Sequence, residues 1–280
     1  MACGPLFWPL RSSSWINGAL LKGRDIQYPQ GDYRWTPAGQ NRYGHFAQYY
    51  DQLGWKRFTD STFSKLGKII RQFKINPKEI IDFGCGTGEL LSRLADLDFT
   101  GIGVDASPGM IEKARLKLDP AEFHLLIGDI CDKKANRKFP LATCFFDTIN
   151  HITSQKNLRR FIKNVHHHLE YGGIFVFDFL TPEGLEEWQG TDLNSKDDYF
   201  LLQKGKYIPS RKRAMISIEG FVKRPDGNYD RFYQFIEERG ITIDEMNQHL
   251  VSAGFQHISM RGFFHDYEID QGGRILGMAG

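Results

Sequence analysis

Cysteine is scarce in this chain: four in 280 residues (Cys3, Cys85, Cys131 and Cys144), with no C-x-x-C pair. That spacing excludes a zinc ribbon or a thioredoxin-type redox pair, and the number is too small for a disulfide scaffold. The expected compartment is reducing and cytoplasmic. Charge of one sign is also missing. Thirty-six Lys+Arg against 34 Asp+Glu leave a formal +2, so the electrostatic footprint of a nucleic-acid or anionic-membrane binder is absent. No apolar run approaches the roughly 20 residues of a membrane helix, and mean hydropathy is −0.43. Residues 1–24 contain no acid, three basic residues and the run Ser12-Ser13-Ser14. That composition is loosely like a transit peptide, but it lacks the basic start of a secretory signal. Residues 1–45 are read as an N-terminal extension.

What remains is enough chain for one large core, with a clear alternation. Phe46–Phe73 carries apolar residues at helical spacing, ended by Asn76-Pro77. Glu79–Phe83 is a short apolar burst of the kind buried in parallel sheets. Leu90–Leu97 then reads as helix, Gly101–Val104 as strand, and Pro108–Leu118 as helix with Ser107 as its cap. Phe123–Ile127 and Ala142–Phe146 read as strands, Leu158–Leu169 as helix and Gly173–Phe179 as strand. Short connections between such elements argue an α/β, doubly wound parallel sheet. Residues 181–238 break the pattern. Tyr199–Gln203, Ala214–Lys223 and Tyr229–Glu238 alternate with period two, and Pro225-Asp226-Gly227-Asn228 supplies a hairpin turn. This antiparallel insertion is rich in aromatics, and is expected to be either a roof over a pocket or a homodimer face. Thr242 and Glu245 form a capping box for a later helix that Gly254 closes, followed by strands at Phe255–Arg261 and Arg274–Leu276.

The most informative stretch is Asp82-Phe83-Gly84-Cys85-Gly86-Thr87-Gly88, where a strand enters three alternating glycines and then a helix. At the carboxyl end of a parallel strand, such a loop lets a ligand approach the backbone closely. The dinucleotide fingerprint needs a further glycine where this chain has Glu89, and a carboxylate there repels a phosphate at the helix start. No Gly-Lys-Ser/Thr follows, which excludes a P-loop. The next two strands also end in acids, Asp105 in Gly103-Val104-Asp105-Ala106-Ser107 and Asp129 in Gly128-Asp129-Ile130. Each acid alone is an ordinary loop or cap carboxylate. Together, at three successive strand ends, they suit a nucleoside that brings positive charge.

These motifs, with the later Tyr171-Gly172-Gly173-Ile174-Phe175-Val176-Phe177 strand, resemble class I S-adenosylmethionine-dependent methyltransferases. The likeness spans residues 46–180 and extends over 239–280. It implies a Rossmann-like sheet of seven strands, mostly parallel, with S-adenosyl-L-methionine as cofactor. By that resemblance Asp82, Phe83, Gly84, Cys85, Gly86, Thr87 and Gly88 lie beside the methionine part, and Asp105 holds the ribose. Asp129 and Ile130 meet the adenine edge, Ala106 and Met110 flank the ring, and Phe145 begins the segment facing the methyl. Cys144-Phe145-Phe146-Asp147-Thr148-Ile149-Asn150-His151 resembles the corresponding stretch of small-molecule N- and O-methyltransferases, including sugar N-methyltransferases.

Direct displacement from a sulfonium needs mainly alignment and exclusion of water. A base matters for a hydroxyl acceptor and is optional for a neutral amine. His151 is the base candidate, or else a histidine that packs or caps a helix start. Asp147 and Asn150 either position the acceptor or hold the turn, and for Asp147 the turn is preferred. Among Tyr43, Tyr49 and Tyr50, Tyr50 is the catalytic candidate because Tyr50-Asp51 resembles a pair in the family's lid; the alternative is an ordinary core aromatic. His166-His167-His168 is read as a solvated helix face, and no metal site is expected. Two readings of other classes stay open: an NAD-binding oxidoreductase and a non-catalytic cofactor-binding scaffold.

Overall fold

The computed structural model describes residues 45–264 and 273–280; the N-terminal extension, with Tyr43 and Cys3, lies outside the described residues. The described chain opens with two short 3-10 turns, His45–Gln48 and Tyr50–Leu53. Gly54, at φ 96°, ends the second turn. Helix α1 (Lys56–Phe73) follows, so the helical spacing of 46–73 is divided at that left-handed residue.

The main sheet is laid out by β1 (Glu79–Phe83), β2 (Thr100–Asp105), β3 (Phe123–Ile127), β4 (Phe139–Cys144) and β5 (Leu169–Leu180), with β10 (Ile258–Gly262) and β11 (Arg274–Ala279) at one edge. Its order is β10-β11-β5-β4-β1-β2-β3. Neighbours pair in parallel except at β11, which runs against both β5 and β10. The expected seven-stranded, mostly parallel sheet is therefore present. The connections reverse between β1 and β4, which opens a crevice at the carboxyl ends of the strands.

Helices α2 (Glu89–Ala95) and α3 (Pro108–Arg115) join α1 on one face, while α4 (Gln155–His168) and α6 (Ile243–Ala253) cover the other. Strand β5 shows why both faces must be covered. Phe175, Phe177 and Phe179 are fully buried on one side, and Ile174 and Val176 pack into the cluster on the other. The caps fall where expected: Ser107 Oγ accepts from Met110 N at 3.3 Å, and Thr242 Oγ1 from Glu245 N at 3.2 Å. Only half of the capping box forms, because the Glu245 carboxylate turns to Arg239 at 2.9 Å.

A second sheet, of order β6-β7-β8-β9, is an antiparallel meander of β6 (Gly190–Ser195), β7 (Tyr199–Ile208), β8 (Arg213–Lys223) and β9 (Tyr229–Arg239). Its inner side, with Leu201, Ile216, Ile218, Phe232 and Ile236, packs on Phe46, Leu53 and Trp55 of the N-terminal turns. Its outer side leaves Tyr229, Tyr233 and Phe235 exposed.

Three local expectations are corrected. Strand β4 begins at Phe139 and stops at Cys144, since Phe146 and Asp147 adopt left-handed φ of 64° and 51°; the ladder tolerates Pro140 through a register irregularity between Phe139 and Leu141. Strand β6 and the short helix α5 (Pro182–Glu186) were not anticipated. The β6 sequence Gly-Thr-Asp-Leu-Asn-Ser has weak strand preference and is held by its pairing with β7. Finally, His168 is not a solvated face residue. It is fully buried, its Nε2 accepts from Ala135 N at 2.8 Å, and Nδ1 lies 2.8 Å from Asn164 O. Only His166 and His167 are exposed.

A cavity walled by carboxylates

The crevice beyond β1 and β4 deepens into a cavity of about 300 Å³, closed from above by the second sheet and the N-terminal turns. One wall is made by strand ends. Gly84 and Gly86 hold φ of 79° and 55°, a conformation open to glycine. A side chain on Gly84 would strike Thr148, whereas a Cβ on Gly86 would meet nothing within 4 Å. The loop therefore presents an open backbone cradle at Gly86. Asp105 borders it with both oxygens engaged by backbone: Oδ2 accepts from Gly86 N at 3.0 Å and Oδ1 from Ser107 N at 2.8 Å. A carboxylate oxygen has more than one lone pair, so each can accept again from a ligand hydroxyl. Burial raises the Asp105 pKa, and those two backbone bonds oppose the rise.

Ala106, Met110, Asp129 and Ile130 continue this wall. A smaller adjoining recess is lined by Asp82, Cys85, Thr87 and Phe145 and shares Tyr50, Gly84, Gly86 and Phe146 with the main cavity. Asp82 is buried there, accepts from Thr143 Oγ1 at 2.6 Å, and has its pKa pushed up to about 7, mainly by burial. Thr62 Oγ1 on the same recess is buried with no hydrogen-bond partner among the described residues. Two of the expected cofactor residues line neither space. The Phe83 ring turns into the core against Phe161, and Gly88 caps α2, where a Cβ would press on Leu118 and Ala114.

The turns above are tied to this wall. Asp51 accepts from Thr87 Oγ1 at 2.7 Å and pairs with Lys117 at 2.7 Å. Tyr49 donates to Asp230 of β9 at 2.6 Å. Tyr50 stacks on Trp55 at 5.1 Å and faces the cavity. Burial, then the nearby Asp147, Asp105 and Asp51, pushes its phenol pKa well up. It is therefore a neutral hydroxyl, not a phenolate base.

The donor set is acidic and the cradle is open, so these residues fit a cationic nucleoside better than a pyrophosphate. Glu89, in the first turn of α2, pairs with Arg93 and Lys117, so these two cations are already engaged by a carboxylate there. The comparisons agree. The methyltransferase-domain family matches residues 80–173. A protein of Geobacillus sp. (strain WCH70) named for a methyltransferase is 27% identical over 229 residues, 80% of this chain and 93% of its own. The crystal structure of an S-adenosylmethionine-dependent methyltransferase from Clostridium acetobutylicum superposes with a TM-score of 0.72 at 25% identity, covering 85% of this chain and 98% of that one. The chain is a class I S-adenosylmethionine-dependent methyltransferase. A Streptomyces fradiae enzyme, dTDP-3-amino-3,6-dideoxy-alpha-D-glucopyranose N,N-dimethyltransferase, is 28% identical over 54% of this chain and 55% of its own length.

On the opposite wall of the methyltransferase's cavity the sequence marked Asp147 and His151 but not Glu238 or the ion cluster behind them. After β4 the chain turns sharply at the left-handed Phe146 and Asp147, conformations that a bulky side chain adopts only under constraint. The constraint is visible. Asp178 Oδ1 accepts from Asp147 N at 3.0 Å, and Arg274 reaches across from β11 to pair with both Asp147 and Asp178. Asp147 is thus more than a turn residue: it is 1% exposed, lines the cavity and belongs to an ion cluster. Asn150, by contrast, is wholly structural. Its amide donates to Leu180 O and Arg239 O and accepts from Leu180 N, each at 2.8 Å.

His151 faces the cavity, with Nε2 3.4 Å from Glu238 Oε1 on β9. Ile218 and Ile236 of the second sheet line the space beside it. Glu238 lay inside an expected strand, but nothing local marked it as a site residue.

Proposed function

We propose that this enzyme methylates an amine nitrogen on a small molecule. One observation carries the reading: Asp105, Asp129, Asp147 and Glu238 line the cavity, and among the described residues no lysine or arginine does. Such a lining stabilises cations, and here the sulfonium and an acceptor ammonium are both cations. An acceptor carboxylate or phosphate would be repelled. The amino-sugar N,N-dimethyltransferase among the relatives supports transfer to nitrogen. The acid lining adds that any diphosphate on the acceptor must lie outside this cavity.

In this reading Gly84, Gly86 and Asp82 hold the methionine end, Asp105 accepts the ribose hydroxyls, and Asp129 and Ile130 take the adenine edge between Ala106 and Met110. Tyr50 and His151 border the transferring methyl. Tyr50 donates a hydrogen bond, and His151 relays the proton that the amine loses. The 181–238 segment serves as the acceptor roof. The methyl donor contributes an already activated carbon, so the residues supply alignment and dryness.

The test is incubation with S-adenosyl-L-methionine and a panel of primary and secondary amines, each matched to its hydroxyl counterpart, with detection of S-adenosylhomocysteine and a methylated product. Turnover confined to amines supports the proposal. Turnover confined to hydroxyls or carboxylates overturns it.

A further inference from the structure

Glu238 is hard to explain as a structural residue. It is 1% exposed, and its Oε2 is buried with no hydrogen-bond partner among the described residues. Its neighbours make the position costly. Asp147 and Asp178 are buried beside it, and among the described residues the guanidinium pairing with these is that of Arg274, which is committed to Asp147 and Asp178. Three carboxylates face one arginine, with His151 at the cavity edge. Burial first, and then the charge of Asp147, pushes the Glu238 pKa well above the usual carboxyl range; Arg274 pulls the other way, and a carboxyl contact with Asp147 adds to the rise. An uncompensated buried carboxylate destabilises a fold. One placed on a cavity wall is compensated when a cation enters.

Resting on the amine reading above, we propose that Glu238 is the residue that recognises the acceptor: its orphan Oε2 accepts an N–H from the acceptor's ammonium, with Asp147 beside it and His151 Nε2 at 3.4 Å from Oε1. The step balances as follows. The ammonium gives one proton to the Glu238–His151 pair and becomes a neutral amine. Its lone pair forms the N–C bond while the C–S pair returns to sulfur, and the transferred proton leaves through His151 to solvent. The products are a methylammonium, a neutral thioether and one released proton, equal in charge to the two cations that entered. The selectivity follows from the same geometry, because a carboxylate acceptor meets like charge at Glu238 and Asp147.

The acceptor's identity is not needed for the test. Sinefungin carries an amine where the methyl donor carries its transferable methyl, and S-adenosylhomocysteine carries nothing there. Calorimetric titration of both ligands into the wild type and Glu238→Gln isolates the contact. We expect the wild type to prefer sinefungin by about tenfold or more, the scale of one charge-assisted hydrogen bond. Glu238→Gln should bring the two ligands to within about threefold, while S-adenosylhomocysteine affinity stays as in wild type. The melting temperature of Glu238→Gln should be equal or higher at alkaline pH, because glutamine cannot ionise where burial and Asp147 disfavour the charged carboxyl, whereas a structural carboxylate would lower it. Glu238→Asp, which withdraws the carboxylate by one methylene and keeps its charge, should lose most of the preference and serves if the glutamine variant does not fold.

A sinefungin preference that survives both substitutions overturns the role of Glu238 and leaves the amine reading standing. A wild type with no preference overturns both.

Discussion

The two walls of the cavity hold their carboxylates in opposite ways. On the strand-end wall, Asp105 is satisfied within its own neighbourhood, by backbone N–H groups two residues on and across the glycine loop. On the facing wall, Asp147 and Glu238 come from different sheets, and the cation that steadies them comes from a third place, Arg274 on β11. The first arrangement needs only the adjoining ends of the paired strands β1 and β2. The second exists only when β4, β5, β9 and β11 are all in place. The contrast suggests a division of labour, with a general wall for the cofactor and a particular one for the acceptor.

Removing Arg274 should break that comparison most severely. Arg274→Met leaves Asp147, Asp178 and Glu238 buried without their guanidinium and takes the cation from above the Phe58 ring at 4.7 Å. A loss on the order of 3–5 kcal/mol in urea unfolding is expected. Asp178, with its pKa already pushed up to about 6 by burial against the pull of Arg274, should then hold its proton to higher pH.

Asp82 sharpens the comparison, because among the carboxylates of the strand-end wall it has a strongly displaced pKa. Its folded pKa of about 7 lies above the ordinary 3.8. The native state therefore keeps a proton that the unfolded chain releases, so stability is greatest below about pH 4 and falls as pH rises to about 7. Asp82→Asn removes that dependence. It should match the wild type near pH 4 and exceed it by roughly 4 kcal/mol at pH 8, measured without ligand. A bound ammonium should narrow the gap, visible as proton release in calorimetry at pH 6–7 in buffers of different ionisation enthalpy.

Asp105→Ala tests the locally satisfied carboxylate. The fold should hold, while S-adenosylhomocysteine affinity falls by about 2–3 kcal/mol, some 30- to 150-fold by titration. Unchanged affinity in a folded variant would remove Asp105 from the ribose site. The smallest effect is Thr242→Ala, outside the cavity lining, which loses the Oγ1 cap on α6 and should cost about 1 kcal/mol in unfolding with ligand affinity intact.

Much of the frame was legible because its signals are short-range. Strands β1 and β3 were bounded to the residue by the apolar bursts Glu79–Phe83 and Phe123–Ile127. The caps at Ser107 and Thr242 depend on side chains three residues from the backbone they serve, and Gly254 closes its helix by its own N–H to Leu250 O and Val251 O. The end of β4 was misjudged because Cys144-Phe145-Phe146 continues to look like strand, and the turn at Phe146 is enforced by Asp178, 31 residues from the Asp147 amide it holds. His168 looked like its exposed neighbours because its acceptor role depends on Ala135, 33 residues away.

By itself the sequence determined the alternation of strands and helices, the glycine loop and the acids at three successive strand tips. Each of these is written in residues a few positions apart, where backbone sterics and hydrophobic period act directly. Only the tertiary structure decided what those acids face. Packing the second sheet onto the N-terminal turns places Glu238 opposite the glycine loop and beside His151, 87 residues earlier in the chain. Charges brought together across such separations interact through space and through shared burial, which no local pattern encodes.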